Sequence, residues 1–394
     1  MSLPPENPAP PQDQALSGRR LVSRRADGVE SSGIRKIFER VQFMDDPINL
    51  SIGQAHFDVP EAVKEAAIAA IRDGFNRYTV TEGVPELNER ILGRLADRYG
   101  YQGQQSLVTS GVSGGLLLGF MAALDKGDHV LLPDPYFTMY PVLAGLVDAD
   151  WSGYEMYPGI PLTEAALEAA LDPEGRSRLL LINSPSNPTG RVLSAEELDI
   201  VGAFARKHDL LVVSDEIYDE FVYDGPHVAA VGHVDEDRLL LLGGFSKTYG
   251  MPGWRMGYAV GPDDIIDAMR RIQQFTFVCA PSMVQLAGLA AMDVDMSAEI
   301  ENYAQKRDSF YARLAGHYEF PKPGGSFYMF PELPKGATTE AFMERALERK
   351  LLIVPGKAFS ARDTHFRLSF AASGEVLDRG VDALLALAEE FAEG

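Results

Sequence analysis

Between residues 105 and 260 the chain repeats one arrangement: a short, almost uninterrupted apolar run that ends in small or polar residues. The runs are SLVTSG, DHVLLPD, RLLLINS, LLVVSDE, LLLLGGFS and GYAVG, and helical stretches such as SAEELDIVGAFARKH separate several of them. A strand with one wet face alternates apolar and polar side chains. Most of these runs do not, so both of their faces are buried, and buried strands joined by helices predict a mainly parallel α/β sheet flanked by helices. Ligands bind such sheets in the crevice outside the carboxyl ends of the strands. Asn183 after LLLI, Asp215 and Glu216 after LLVVS, and Lys247 after LLLLGGFS are therefore expected to share one crevice.

At 394 residues the chain exceeds what one hydrophobic core usually serves, so two domains are expected. Near residue 285 the pattern changes to a long helical region, followed by GGSFYMF, LLIVPG and HFRLSF with helices between and after. That predicts a smaller α/β domain over 286–394, beside a large domain over 51–285. Residues 1–18 are rich in proline and polar groups and read as a disordered tail. In 19–50, SSGIRKIFERVQFM puts Ile34, Ile37, Phe38 and Val41 on one face of a short helix, expected to pack with the small domain. VPEAVKEAAIAAIRDG reads as a clearer helix, started by Pro60 and stopped by Gly74.

A formal net charge of −21 repels nucleic acid and anionic membrane, so neither is an expected partner. A single cysteine, Cys279, excludes an internal disulfide and fits a reducing, cytoplasmic setting. No apolar run approaches the roughly 20 residues of a membrane span. Metal chemistry finds no H-E-x-x-H and no thiolate cluster, and the G-x-S-x-G elbow of serine hydrolases is absent.

The strand ends admit two readings each. Lys247 is either an exposed loop lysine or, if withdrawn from water, an amine that loses proton affinity and becomes a nucleophile. Asp215 either caps a turn or pairs with a cationic ring nitrogen; Tyr218, three residues on, would reach the same ligand from one helical turn. SGVSGG at 110–115 is a plain tight turn or a helix start whose N–H groups face an anion. Arg255 is a surface ion-pair partner or the planar fork such an anion needs. Arg367 in HFRLSF is an edge-strand charge or a bidentate carboxylate clamp. An amine nucleophile, an acid, a phenol and a phosphate cradle together suit a phosphorylated aromatic aldehyde bound as an imine.

The ordered segments LSIGQAHFDVP, YTVTEGVPELNERI, VTSGVSGGL, DPYFTMY, NSPSNPTGRVLS, VVSDEIYDEF, GFSKTYGMPGWRMGY, PGGSFYMFPEL and HFRLSFA carry a resemblance. The chain resembles the fold-type I, pyridoxal-phosphate-dependent class I and II aminotransferases over nearly everything after the tail. The resemblance implies pyridoxal 5′-phosphate as cofactor, amino acids and 2-oxo acids as substrates, and a homodimer with shared active sites. It implies that Lys247 is the Schiff-base lysine and proton shuttle and that Asp215 keeps the pyridinium nitrogen protonated. Tyr218 and Asn187 match the hydrogen-bond donors to the phenolic oxygen, and Phe137 the aromatic stacked on the ring. Val112, Ser113, Ser246 and Arg255 match the phosphate contacts. Arg367, with the backbone of Gly53 beside it and Asn187 nearby, matches the substrate-carboxylate site. Tyr78 matches a tyrosine that reaches the neighbouring subunit's phosphate.

Two positions depart from the family pattern: Gly244 replaces a frequent serine, and His56 a frequent acidic residue. A lyase of the aminocyclopropane-carboxylate synthase or carbon–sulfur type would share the same cofactor apparatus. A cofactor-sensing regulator would need a DNA-binding module ahead of the fold, for which the proline-rich tail is too short. Phe57, Phe137 and Tyr328 would favour an apolar or aromatic substrate, unless they belong to the cofactor sandwich or the core.

Overall fold

The computed structural model describes residues 21–29 and 44–393. The tail over 1–18 lies outside the described residues, and so does the helix expected at SSGIRKIFERVQFM apart from Met44.

The elements run in chain order from α1 (Arg24–Asp27) and β1 (Ile48–Asn49) to α2 (Glu61–Arg72) and α3 (Pro85–Tyr99). Then come β2 (Ser106–Thr109), α4 (Gly111–Ala123), β3 (His129–Asp134), α5 (Met139–Leu146), β4 (Asp150–Glu155) and α6 (Glu164–Glu168). Next are β5 (Ser177–Asn183), α7 (Ala195–His208), β6 (Leu211–Asp215), β7 (Leu239–Gly244), β8 (Gly257–Val260) and α8 (Asp263–Phe275). The remainder is α9 (Ser282–Ala291), α10 (Ser297–Leu314), β9 (Tyr328–Met329), α11 (Thr339–Glu348), β10 (Leu351–Leu352), β11 (Val354–Pro355), β12 (Phe366–Ser369) and α12 (Gly374–Glu393).

Seven strands form one sheet in the order β2-β8-β7-β6-β5-β3-β4. Every apolar run singled out in the sequence supplies one of them, and Leu179–Leu181, Val212, Val213 and Leu239–Leu242 are at most 1% exposed. The strand without such a run is β4, at the edge of the sheet. The exception to the parallel pattern is β8, antiparallel to both β2 and β7. The cause is the connection. Crossovers, helical except for the long irregular segment between β6 and β7, carry the chain back to start the other strands in the same direction, whereas β7 and β8 are joined directly by the loop over 245–256, so the chain must reverse. That reversal places the whole GFSKTYGMPGWRMG loop at the end of the sheet where β5 and β6 also finish.

Helix α4 lies against the sheet with Val112, Gly114, Gly115, Leu116, Leu118, Gly119 and Phe120 all buried. It approaches β8 closely: a Cβ on Gly257 would stand 2.7 Å from the Gly111 carbonyl carbon and the Val112 nitrogen. A side chain there would push the helix start away from the strand ends. α7 is fixed at its entry by a capping box in which Ser194 and Glu197 satisfy each other's backbone N–H groups. Arg206, Lys207 and His208 in its last turn complement the helix dipole.

The second region holds an antiparallel sheet ordered β11-β12-β9, and a parallel pair, β1 with β10. Helices α10, α11 and α12 pack around them. Phe342, Phe366, Leu368, Phe370 and Leu384, none of them exposed, form the core between these helices and strands.

Candidate active site

The carboxyl ends of β5 and β6, the start of α4, the β7–β8 loop, the strand β12 and the segment over 52–54 surround a cavity of about 570 Å³. Val112, Ser113, Phe137, Asn187, Asp215, Tyr218, Ser246, Lys247, Arg255, Gly53 and Arg367 all line it. Sequence positions up to 314 apart are thus brought to one place. A second open groove, about 740 Å³, is lined by Arg94, Glu220, Thr248 and Tyr249, and contains none of these groups.

Asp215 forms the floor. It is 3% exposed, accepts hydrogen bonds from Tyr140 Oη at 2.8 Å and the Ile217 N–H at 3.3 Å, and its own carbonyl accepts from Asn183 Nδ2. Desolvation raises its pKa to about 6, against the opposing pull of these hydrogen bonds and of Lys247. A buried carboxylate in that state is stabilised by an incoming cation. Tyr140, on the first turn of α5 three residues after Phe137, was not singled out in the sequence. Its legible signal was a second aromatic three residues beyond Phe137, at the start of α5, and the two rings pack edge to face with centres 5.6 Å apart.

Glu216 does not join the crevice. Adjacent side chains of a strand point to opposite faces, and Glu216 lies away from the cavity, bonded to His227 Nε2, Ser214 Oγ and the Ala230 N–H. The expectation that both acids share the site is corrected to Asp215 alone.

Lys247 Nζ donates to the Gly53 carbonyl at 2.7 Å and stands 5.7 Å from the Tyr218 ring centre and 5.9 Å from that of Phe327. Desolvation first, then the Arg367 charge, lowers its pKa to about 8. A sizeable neutral fraction near neutral pH is what an amine nucleophile requires. Tyr218 Oη is 2.9 Å from Tyr328 Oη, and burial raises the Tyr218 pKa well above the ordinary phenol value. Gly53 cannot carry a side chain, since its Cβ would fall 2.3 Å from Tyr328 Oη.

Arg367 is 1% exposed and already oriented: Nη1 donates to Asn187 Oδ1 at 2.9 Å and Nη2 to the Ser51 carbonyl at 2.8 Å. The Asn187 N–H is fixed in turn by Asn183 Oδ1 at 2.9 Å. The rings of Tyr328 and Phe359 lie 4.5 and 4.8 Å from the guanidinium carbon. Its Nε is buried without a hydrogen-bond partner among the described residues. A buried unpaired donor on an arginine is costly unless an acceptor arrives, and a carboxylate is the natural one.

At the other end of the cavity, Ser110 precedes α4 without capping it by its side chain. The N–H groups of its first turn, at Val112 and Ser113, are therefore open to an anion. Arg255, itself at φ 56°, donates to the carbonyls of Pro252 at 3.0 Å and Ser110 at 3.3 Å. Its Nη2 sits 2.7 Å from where a Gly111 Cβ would be, so glycine there makes the cradle.

Gly244 is packed by Ile217 and Val112, whose methyls would lie 3.0 and 3.2 Å from an added Cβ. The serine frequent at this position is replaced here by apolar packing. His56 bonds to Tyr303 Oη at 2.9 Å and to Lys306 Nζ at 2.7 Å, bridging the segment that holds Gly53 to α10. Phe57, half-buried, packs against Tyr303 at the edge of the core, while Tyr328 is part of that buried core and also lines the cavity. Tyr78 is 83% exposed and lies outside this chain's own cavity.

An anion cradle, an amine and a buried acid, arranged in this order across the strand ends, fit pyridoxal 5′-phosphate. The protein is of the pyridoxal-phosphate-dependent transferase class. Residues 45–384 match the family model described as Aminotransferase class I and II, and the chain belongs to that family. It is 32% identical to a probable aspartate aminotransferase of Methanocaldococcus jannaschii, covering 92% of this chain and 98% of that one. It is 33% identical to aromatic-amino-acid aminotransferase 2 of Thermococcus litoralis, covering 92% and 97%. The structure matches aspartate aminotransferase from Thermus thermophilus with maleate at a TM-score of 0.88, with 31% identity over 94% of this chain and 100% of that chain. The protein is a pyridoxal-phosphate-dependent aminotransferase, moving an amino group from an L-amino acid to a 2-oxo acid in a ping-pong cycle.

Proposed function

We propose that Lys247 is the amine to which the cofactor is joined and the base that moves the proton of the substrate α-carbon. The observation that carries this is the convergence of Lys247, Asp215 and Arg367 on one cavity, each withdrawn from bulk water. When bound, the cofactor supplies an electron sink for the substrate α-carbon. Asp215 would hold its ring nitrogen as a cation, and Phe137 would cover its ring. Tyr218 and Asn187 would bond its phenolic oxygen, and Val112, Ser113, Ser246 and Arg255 would hold its phosphate. Arg367, aimed by Asn187 and Ser51, orients the substrate carboxylate so that the α-proton faces Lys247 Nζ.

The test is Lys247→Ala, followed by visible spectroscopy after adding pyridoxal phosphate and by transamination rate. Loss of the lysine-bound cofactor band and a fall in rate of at least about 10²–10⁴-fold are expected. A variant that keeps both overturns the assignment.

The same reading includes a homodimer in which Tyr78 reaches the partner subunit's phosphate. Support comes from the surface around it. The loop carrying Tyr78 is tied to α8 and α9 by hydrogen bonds of Gln273 to the Thr81 carbonyl, Gln285 to Thr79 and Ser282 to the Phe75 carbonyl. The neighbouring Phe275 is 85% exposed, with Val80, Phe277 and Val278 also outward, an apolar face suited to a second copy. A division into a cofactor-binding domain over 51–285 and a smaller domain over 286–394, with 19–50 beside the latter, is supported by the β1–β10 pairing; α9, across the boundary, packs on α2. A cytoplasmic location is proposed on the single half-buried cysteine, Cys279, which leaves no internal disulfide to maintain. Among the described residues no helix is long and apolar enough to cross a membrane.

A further inference from the structure

The segment over 50–57 touches both sides of the proposed function, on which the present inference rests. The Leu50 carbonyl accepts from the Ser369 N–H at 2.7 Å, the Ser51 carbonyl from Arg367 and the Gly53 carbonyl from Lys247. Its path past the Lys247 loop is close, since a Cβ on Gly250 would stand 3.0 Å from the Phe57 carbonyl oxygen. One strap therefore holds the carboxylate-binding arginine and the amine relative to each other.

The strap is anchored through His56, at the position where the family pattern has a frequent acidic residue. The His56 N–H donates to Tyr303 Oη at 3.0 Å, and its Nδ1 lies 2.9 Å from the same oxygen. Its Nε2 lies 2.7 Å from Lys306 Nζ, which also donates to the Ala372 carbonyl at 2.8 Å. Ala372 follows the end of β12, the strand of Arg367, by three residues. An ammonium has no lone pair to offer, so Nε2 must accept and the ring proton belongs on Nδ1. A doubly protonated ring cannot make this bond and would set a second cation against Lys306. The titratable groups facing the ring are Lys306 and Tyr303 of α10, and Glu299, one turn before Tyr303, acts on both. Asp58, on the strap itself, is engaged by Lys64 and the Val59 N–H. Burial first, then the Lys306 charge, holds the His56 pKa below the ordinary histidine value.

We infer that neutral His56 is a positioning residue: with Lys306 it clasps the strap to α10 and to the end of the Arg367 strand, and so keeps Arg367 and Lys247 at the spacing an α-amino acid requires. Protonation opens the clasp, and capture of the amino acid weakens on the acid side while the cofactor stays bound.

The test compares the cofactor-loaded parent with His56→Asp and His56→Leu between about pH 8 and about pH 5. A carboxylate keeps an acceptor for Lys306 and stays ionised over most of that range. The ratio of kcat/KM for His56→Asp to that of the parent should therefore rise at least about threefold toward the acid end. His56→Leu should lose about tenfold in kcat/KM at the alkaline end, mostly in KM, while pyridoxal phosphate affinity by spectral titration holds. Lys306→Met should lose as much, and the double variant no more than either single one. Parallel pH profiles for the parent and His56→Asp, or additive losses in the double variant, overturn the inference. Imidazole nitrogen shifts of the labelled holoenzyme give a readout without turnover. The His56 ring should carry its proton on Nδ1 and titrate below about pH 6.5. A proton on Nε2, or titration above that value, overturns the clasp. Should Arg367→Ala leave kcat/KM intact, the proposed function fails, and the nitrogen shifts still decide the clasp.

Discussion

The two arginines at the ends of the cavity do similar work by opposite means. Arg367 is buried, and its two terminal nitrogens are oriented by Asn187 and the Ser51 carbonyl. Arg255 is exposed, on a left-handed backbone, and shares its anion with the open N–H groups of α4. Under the proposed function, one end is built in advance for a planar carboxylate that would come and go in every cycle. The other would rely on the helix start, with the arginine adding charge to a phosphate that stays. The difference teaches that burial, rather than residue type, sets what an arginine contributes here.

Arg367→Ala breaks the comparison most severely. It should lower kcat/KM by about 10²–10³-fold, because a fully desolvated charge partner is lost, while cofactor affinity measured by spectral titration changes little. Comparable losses in both quantities would mean that the two ends are not independent.

Asp215→Asn extends the comparison to a buried charge of the opposite sign. The folded pKa of Asp215 lies above the ordinary carboxylate value, at about 6. The folded cofactor-free protein therefore binds more protons than the unfolded chain between about pH 4 and 6, and Asp215 costs stability as pH rises through that window. Relative to the parent, the cofactor-free Asn variant should match it near pH 4 and be about 2–3 kcal/mol more stable at pH 8. Denaturant melts at the two pH values check this, and a pH-independent difference would show that Asp215 is not a strained charge in the empty site.

Arg255→Ala is the mildest. It should weaken pyridoxal phosphate binding about tenfold at low salt, and by less at high ionic strength, since an exposed charge is screened. A salt-independent loss would mean that Arg255 works by packing rather than by charge.

Much of this was legible before the structure. The apolar runs identified every strand of the large sheet except β4, because burial on both faces leaves a mark in composition that needs no partner to be seen. β4 lies at the sheet's edge with Asp150, Trp151 and Gly153 exposed, so it carries no such mark. The residues just past the apolar runs identified the crevice. What was missed there has a local cause in each case. Tyr140 looked like one more aromatic of an apolar helix, since its hydrogen bond to Asp215 spans 75 residues. Glu216 follows Asp215 in the chain, but the alternation of side chains turns it to the opposite face, toward His227. The reversal of β8 was hidden because an apolar run has no written direction.

The sequence by itself determined which residues are apolar, where strands end in reactive groups, and hence the class of chemistry, because burial and covalent reactivity are properties of residues and their neighbours in the chain. Only the tertiary structure decided which charges meet. Arg367 faces Asn187 across 180 residues and Lys247 faces Gly53 across 194. Proton affinities shift and donors stay free for a ligand only where such distant segments exclude water together.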